Sequence, residues 1–200
     1  MKSSFRRLTA MAAGLAIVAA CASEPTSPPM TAAAAPSHSL NGGVLATATN
    51  HIGIHGLLRN TPLSAPITVS KTIGSGGGTL SIPQAGVTVT IPSGALASNT
   101  VITMTARVGS LVAYDFAPHG ITFAKPLVFT QKLSGTPANL LNASLLQLGY
   151  YSDPSHLTLD GGLVSELIGG NVNVRSWTFT STIQHFSGYV VACGRRGAEM

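Results

Sequence analysis

Val87-Thr88-Val89-Thr90-Ile91 alternates large apolar residues with threonine, and this two-residue period recurs along most of the chain. It commits the sequence to half-buried β-strands, because successive strand side chains point to opposite faces. Ile67, Val69 and Lys71 alternate with Thr68 and Ser70, and Leu80 and Ile82 with Thr79 and Ser81. Residues 101–108, 126–131, 145–151, 171–180 and 188–193 carry related patterns. Breaks fall at 74–78, 92–94, 118–120, Pro137, 153–154 and 161–162, all rich in Gly, Pro or Asp. Short strands separated by such turns predict an all-β fold, an antiparallel sandwich or barrel. Only residues 139–146 and 162–168 are candidates for helix, and then for short turns of it.

The amino-terminal end follows different rules. Lys2, Arg6 and Arg7 precede a mostly apolar run of 13 residues, 8–20, which closes in Val18-Ala19-Ala20 before Cys21. A basic end, a short apolar stretch and small residues at the cut make an export signal, too short for a comfortable membrane span. A cut directly before cysteine predicts a bacterial lipoprotein. The Cys21 thiol would take diacylglycerol and its new α-amine a further acyl chain, and two or three chains anchor stably where one does not. Ala22, rather than aspartate, after the cysteine is similar to the outer-membrane sorting pattern of two-membrane bacteria. The expected location is therefore the bacterial cell envelope, with the membrane as a partner through Cys21.

Loss of residues 1–20 removes three cations and lowers the formal charge from +5 to +2. The remaining basic residues are scattered, with only Arg195 and Arg196 adjacent. No basic patch interleaved with aromatics is present, which excludes nucleic acid as an expected partner. Residues 21–43 are rich in Ala, Ser, Thr and Pro and lack aromatics. Such a segment buries too little apolar area to offset the entropy of ordering, so it reads as a disordered linker. Stiffened by proline it would reach on the order of 60 Å from the bilayer. Residues 44–200 remain for one domain. Cys193 lies on the final strand pattern and is expected as a buried thiol. Two cysteines cannot make a four-cysteine zinc site.

Within that domain, Gly77-Gly78-Thr79-Leu80-Ser81-Ile82-Pro83 is followed by Gly86-Val87-Thr88-Val89-Thr90-Ile91-Pro92-Ser93-Gly94-Ala95-Leu96. Further on come Ala117-Pro118-His119-Gly120-Ile121-Thr122-Phe123 and Lys125-Pro126-Leu127. Over about residues 75–130 this resembles the ZU5 domain, a β-sandwich module of ankyrins, netrin receptors and death-domain adaptors. Residues 44–74 lie outside the resemblance and are expected to add strands. The resemblance implies a non-catalytic interaction module, with an unknown protein or glycan as partner.

His185-Phe186-Ser187 resembles a self-cleavage tripeptide of some ZU5 relatives. There, Ser187 Oγ would attack the Phe186 carbonyl, His185 would take or return the proton, and hydrolysis of the ester would release the 14 residues 187–200. The competing reading puts Phe186 in the core, with Ser187 and Gly188 at a bulge or edge. Other chemistry is thinly represented. His51 and His55 have helical metal-pair spacing, but Ile52 and Ile54 alternate with them, and four strand residues span about 13 Å. His38, His119 and His156 are isolated, and Asp115, Asp153, Asp160 and Glu166 form no spaced acidic set. No nucleophile elbow, phosphate loop, dinucleotide loop or zinc-protease motif occurs, so neither a metal nor a cofactor is expected. Trp177 and Phe179 are expected on one core-facing strand face. Tyr150 and Tyr151 point to opposite faces, which leaves one of them for a ligand patch. A carbohydrate-binding surface module is the remaining alternative.

Overall fold

A computed structural model describes residues 51–197. The leader, Cys21, the linker with His38, and residues 44–50 of the expected domain lie outside the described residues.

The strands are, in chain order, β1 (Ile52–Gly56), β2 (Leu58–Leu63), β3 (Ile67–Ile73), β4 (Gly78–Ile82), β5 (Val87–Ile91), β6 (Thr100–Ala106), β7 (Gly109–Leu111), β8 (Ala113–Ala117), β9 (Thr122–Lys132), β10 (Gln147–Tyr151), β11 (Gly161–Val164), β12 (Glu166–Ile168), β13 (Gly170–Asn173), β14 (Thr178–His185) and β15 (Gly188–Arg195). The alternating segments of the sequence become half-buried strands. In β5, Val87, Val89 and Ile91 are buried while Thr88 and Thr90 face outward. One sheet runs β11-β1-β15-β8-β6-β3, with β10 on the other side of β15 and β12 beyond it. The second runs β13-β14-β9-β5-β4, and β2 and β7 form a separate ribbon. Every pairing between these strands is antiparallel. The fold is an antiparallel β-sandwich.

The main core lies between the two sheets. Val89, Phe129, Phe179 and Ile183 from one meet Met104, Phe116, Leu148 and Tyr189 from the other. A second cluster of Ile54, Ala113, Tyr151, Val164, Val190 and Ala192 covers the back of β15. The closing strand is thus buried on both faces from Gly188 to Cys193. Cys193 is buried as expected, and its thiol donates to Gly56 O at 3.7 Å.

Gly77 shows why the double glycine precedes β4. Its φ is +75°, and a Cβ there would lie 2.4 Å from Ile91 O and 2.8 Å from Ser93 N. Only glycine lets the 74–77 turn sit this close to the end of β5.

Two local expectations fail. Residues 162–168 are not helical: they form β11 and β12, which pair with β1 and β10. Sheet edges needing partners override a weak helical period. Residues 171–180 are not one strand but a hairpin. Asn173 Oδ1 accepts from the N–H groups of Arg175 and Ser176 and turns the chain. Trp177 occupies that turn at φ 49° instead of the Phe179 strand, yet it is half-buried against the same core as Phe179, as expected of a core residue. Residues 139–146 do contain one short 3₁₀ turn, Ala143–Leu145.

Buried tyrosines tie the layers together. The Tyr114 hydroxyl donates to Gln131 Oε1 at 2.6 Å, and Gln131 Nε2 donates to Ala85 O and Lys132 O. Tyr151 donates to Asp115 Oδ1 at 2.8 Å, and Arg107 meets the other Asp115 oxygen at 2.8 Å. Burial is the largest cause in pushing Tyr114 up to about 12, and it raises Tyr151 and Tyr189 as well. These phenols stay neutral in the native state while the unfolded chain ionises near the ordinary tyrosine value of about 10. Above that pH the unfolded state binds fewer protons, so stability falls as pH rises. Tyr114 alone is expected to remove about 2–3 kcal/mol between pH 10 and 12. Urea midpoints measured across that window should drop, and Tyr114→Phe should flatten the slope. An equal slope in the variant would exclude Tyr114 as a contributor.

Candidate functional site

His185-Phe186-Ser187 joins the two sheets at one corner. β14 ends at His185 in the second sheet, and β15 starts at Gly188 in the first. The corner is irregular. β14 pairs in register with β9 up to Ile183↔Leu127 and then jumps to His185↔Thr122. Pro126 lies within the β9 segment skipped by this jump, where a residue without an N–H can be accommodated.

Main-chain hydrogen bonds hold the corner. Phe186 N–H donates to Ile121 O at 3.1 Å. Gly120 N–H donates to Phe186 O at 3.2 Å, and Phe116 N–H to Ser187 O at 2.8 Å. The Phe186 side chain is 1% exposed. It stacks on Phe116 at 5.0 Å between centroids and meets Phe123 edge-on at 4.7 Å. The irregularity lies before Phe186, between Ile183 and His185, and not at Ser187 and Gly188 where a bulge or edge was expected; Gly188 pairs in register with Tyr151 and Asp115.

The outer side of the corner is an open cleft of about 460 Å³, lined by His119, Gly120, Tyr150, Ser152, His185 and Ser187 among others. The His185 ring stands edge-on to Tyr150 at 4.6 Å and 89°. Its Nδ1 is 3.5 Å from Tyr189 Oη, which donates to His185 O at 2.7 Å. Ser187 is nearly buried, and its hydroxyl makes no hydrogen bond among the described residues. His185 and Ser187 thus share a cleft without a hydrogen-bonded base–nucleophile pair. One element of acyl-transfer chemistry is in place, the Gly120 N–H on the Phe186 carbonyl oxygen, where negative charge would develop. Left-handed backbone strain is absent here, since Trp177 is the one non-glycine residue with positive φ among the described residues.

Tyr150 is half-buried at the rim of this cleft, while Tyr151 is buried behind it. The pair divides between faces as the strand period requires. His119, isolated in sequence, is brought into the same cleft by the turn after β8. The remaining histidines are arranged otherwise. His55 lies on β1 and lines one cavity together with His51, with no ring contact between the two among the described residues. His51 instead meets His156 edge-on at 4.6 Å, a contact that 104 intervening positions conceal in the sequence. No group of three or more His, Cys, Asp or Glu that could hold a metal ion occurs among the described residues. Asp115 is likewise joined to Arg107 and Tyr151 rather than isolated.

A model of the ZU5 domain matches residues 69–115, from within β3 into β8. The chain carries a ZU5-like domain, and with the sandwich fold this supports a protein-interaction module. The match begins earlier than residue 75, taking in part of β3, and ends at 115, before the Ala117–Phe123 and Lys125–Leu127 segments that also carry the resemblance. No curated protein matches the chain.

Proposed function

We propose that this chain is a lipid-anchored protein of the bacterial cell envelope whose β-sandwich binds a partner protein without turning over a substrate. The observation that carries the binding half is the ZU5 match laid on a two-sheet core. Strands held on both sides by ladders give a rigid platform, as recognition surfaces need. The anchoring half rests on the sequence, where the short apolar run ends at Ala20–Cys21. Acylation there would fix the protein to a membrane, the outer one given Ala22, and the proline-bearing linker would hold the sandwich away from it.

A second reading is favoured by one observation, the Gly120 N–H on the Phe186 carbonyl. It makes the corner an autoprocessing site that opens between Phe186 and Ser187.

Intact mass spectrometry of the protein produced in a bacterial host tests both. The expected mass lacks residues 1–20 and carries acyl chains on Cys21, and Cys21→Ser is expected to release the protein into the soluble fraction. A mass that retains the leader or lacks lipid overturns the anchoring. A separate 14-residue species, 187–200, that vanishes in Ser187→Ala establishes processing and displaces the purely binding reading. Without processing, Ser187→Ala should leave the mass pattern unchanged and alter stability by less than about 1 kcal/mol. Pull-down from envelope extracts then identifies the partner, and a glycan as the sole captured species would replace a protein partner.

A further inference from the structure

Arg59 is buried in a manner that calls for an anion. It lies on β2, is 8% exposed, and its guanidinium sits over the Tyr114 ring at 5.6 Å. Nη1 donates to the carbonyl oxygens of Leu111 and Gly109. Nε and Nη2 are buried and have no hydrogen-bond partner among the described residues. These two nitrogens carry their N–H bonds along one common edge of the planar guanidinium, the edge that binds a carboxylate through two parallel hydrogen bonds. A buried arginine is a cation whose hydrogen-bonding edges need acceptors.

The protein offers this edge no acid of its own among the described residues. Asp115 is held by Arg107 and Tyr151, Asp160 pairs with Arg196, and Asp153 accepts from Ser155 N–H. Neither these nor Glu166 lines the adjoining cavity. Gln131, the buried amide beneath it, is already engaged with Tyr114, Ala85 and Lys132. Arg59 lines a cavity of about 190 Å³ together with Thr61, Gln84, Lys132, Ser134 and Thr136. Its wall is cationic or neutral and rich in hydroxyl and amide groups. The space is well below the roughly 300–1,000 Å³ of pockets for whole drug-sized ligands and suits one small group.

We propose that this cavity is a carboxylate-binding site, in which the free edge of Arg59 holds the two oxygens and Lys132, in the same lining, supplies a second positive charge. The carboxylate is either a small organic acid or the acidic side chain of a peptide. The site does not depend on the sandwich being an interaction module.

The test is a titration of the full chain, isotope-labelled at arginine, following the Arg59 Nε–H resonance by NMR. Acetate at constant ionic strength should shift that resonance saturably, whereas chloride should not. A capped peptide with one glutamate that saturates at lower concentration than acetate identifies a peptide source, and the reverse order identifies a free acid. Arg59→Lys keeps the charge but loses the paired donors, and is expected to weaken acetate about tenfold, read from thermal-shift titration. If that variant does not fold, the wild-type resonance still decides. Absence of an acetate shift, or a response to inorganic phosphate alone, overturns the proposal. So does a change of the resting Arg59 resonance in Glu24→Gln or Glu199→Gln, since the occupant would then be this chain itself.

Discussion

Phe186→Ala is expected to lower the unfolding free energy by about 3–5 kcal/mol, enough to leave much of a marginally stable domain unfolded. The side chain is 1% exposed and sits between Phe116 and Phe123 at 5.0 and 4.7 Å. Its removal forfeits the transfer free energy of a whole ring and about 0.5–1.5 kcal/mol for each aromatic contact. The hole cannot close easily. Phe186 N–H and C=O are both tied to the 120–121 backbone, so the segment is not free to sink into the cavity. Phe186→Leu should lose less, because it refills most of the volume. Urea denaturation of both variants checks this, and a loss under about 1 kcal/mol for the alanine would mean that the corner can collapse after all. The result bears on the function of the corner, because a side chain needed this strongly for folding explains its presence without catalysis.

Gly188→Ala is expected to cost about 3 kcal/mol, although it adds a single methyl group. A Cβ at this position would lie 1.9 Å from the Tyr151 ring. The ring must then move, and with it the hydroxyl that donates to Asp115 Oδ1 at 2.8 Å. Overpacking alone costs about 1–3 kcal/mol, and the buried hydroxyl pays a similar sum if it loses its acceptor. Pairing Gly188→Ala with Tyr151→Ala should be strongly non-additive, because the second change removes the obstacle. Additive losses would show that the glycine is needed for some other reason.

The strands were legible wherever one face is buried and the other wet. Val87-Thr88-Val89-Thr90-Ile91 reads directly as β5, and the ZU5-like motif extends this to the neighbouring turns. Legibility fails at short edge segments and at turns of strand-like composition. Residues 161–168 are short edge segments whose pairing with β1 and β10 is long-range, and their local pattern imitates a helix. The 171–180 segment kept its strand-like composition through a turn, and only the Asn173 side chain marks the break. In the candidate site, His185 and Ser187 were visible as a tripeptide. Their neighbours Tyr150, Gly120 and His119 come from other strands and turns.

Arg59 marks the boundary most clearly. Within Leu58-Arg59-Asn60-Thr61 it is an ordinary strand cation, and no spacing or motif distinguishes it from the other basic residues. The period-two pattern and the Gly/Pro breaks by themselves determined an antiparallel all-β domain, because alternation and backbone restriction act between neighbouring residues. Which histidines meet, which side of the corner faces solvent, and which cation is sealed away without an acid were decided by tertiary structure. Those properties depend on contacts between strands far apart in the chain, which no local pattern records.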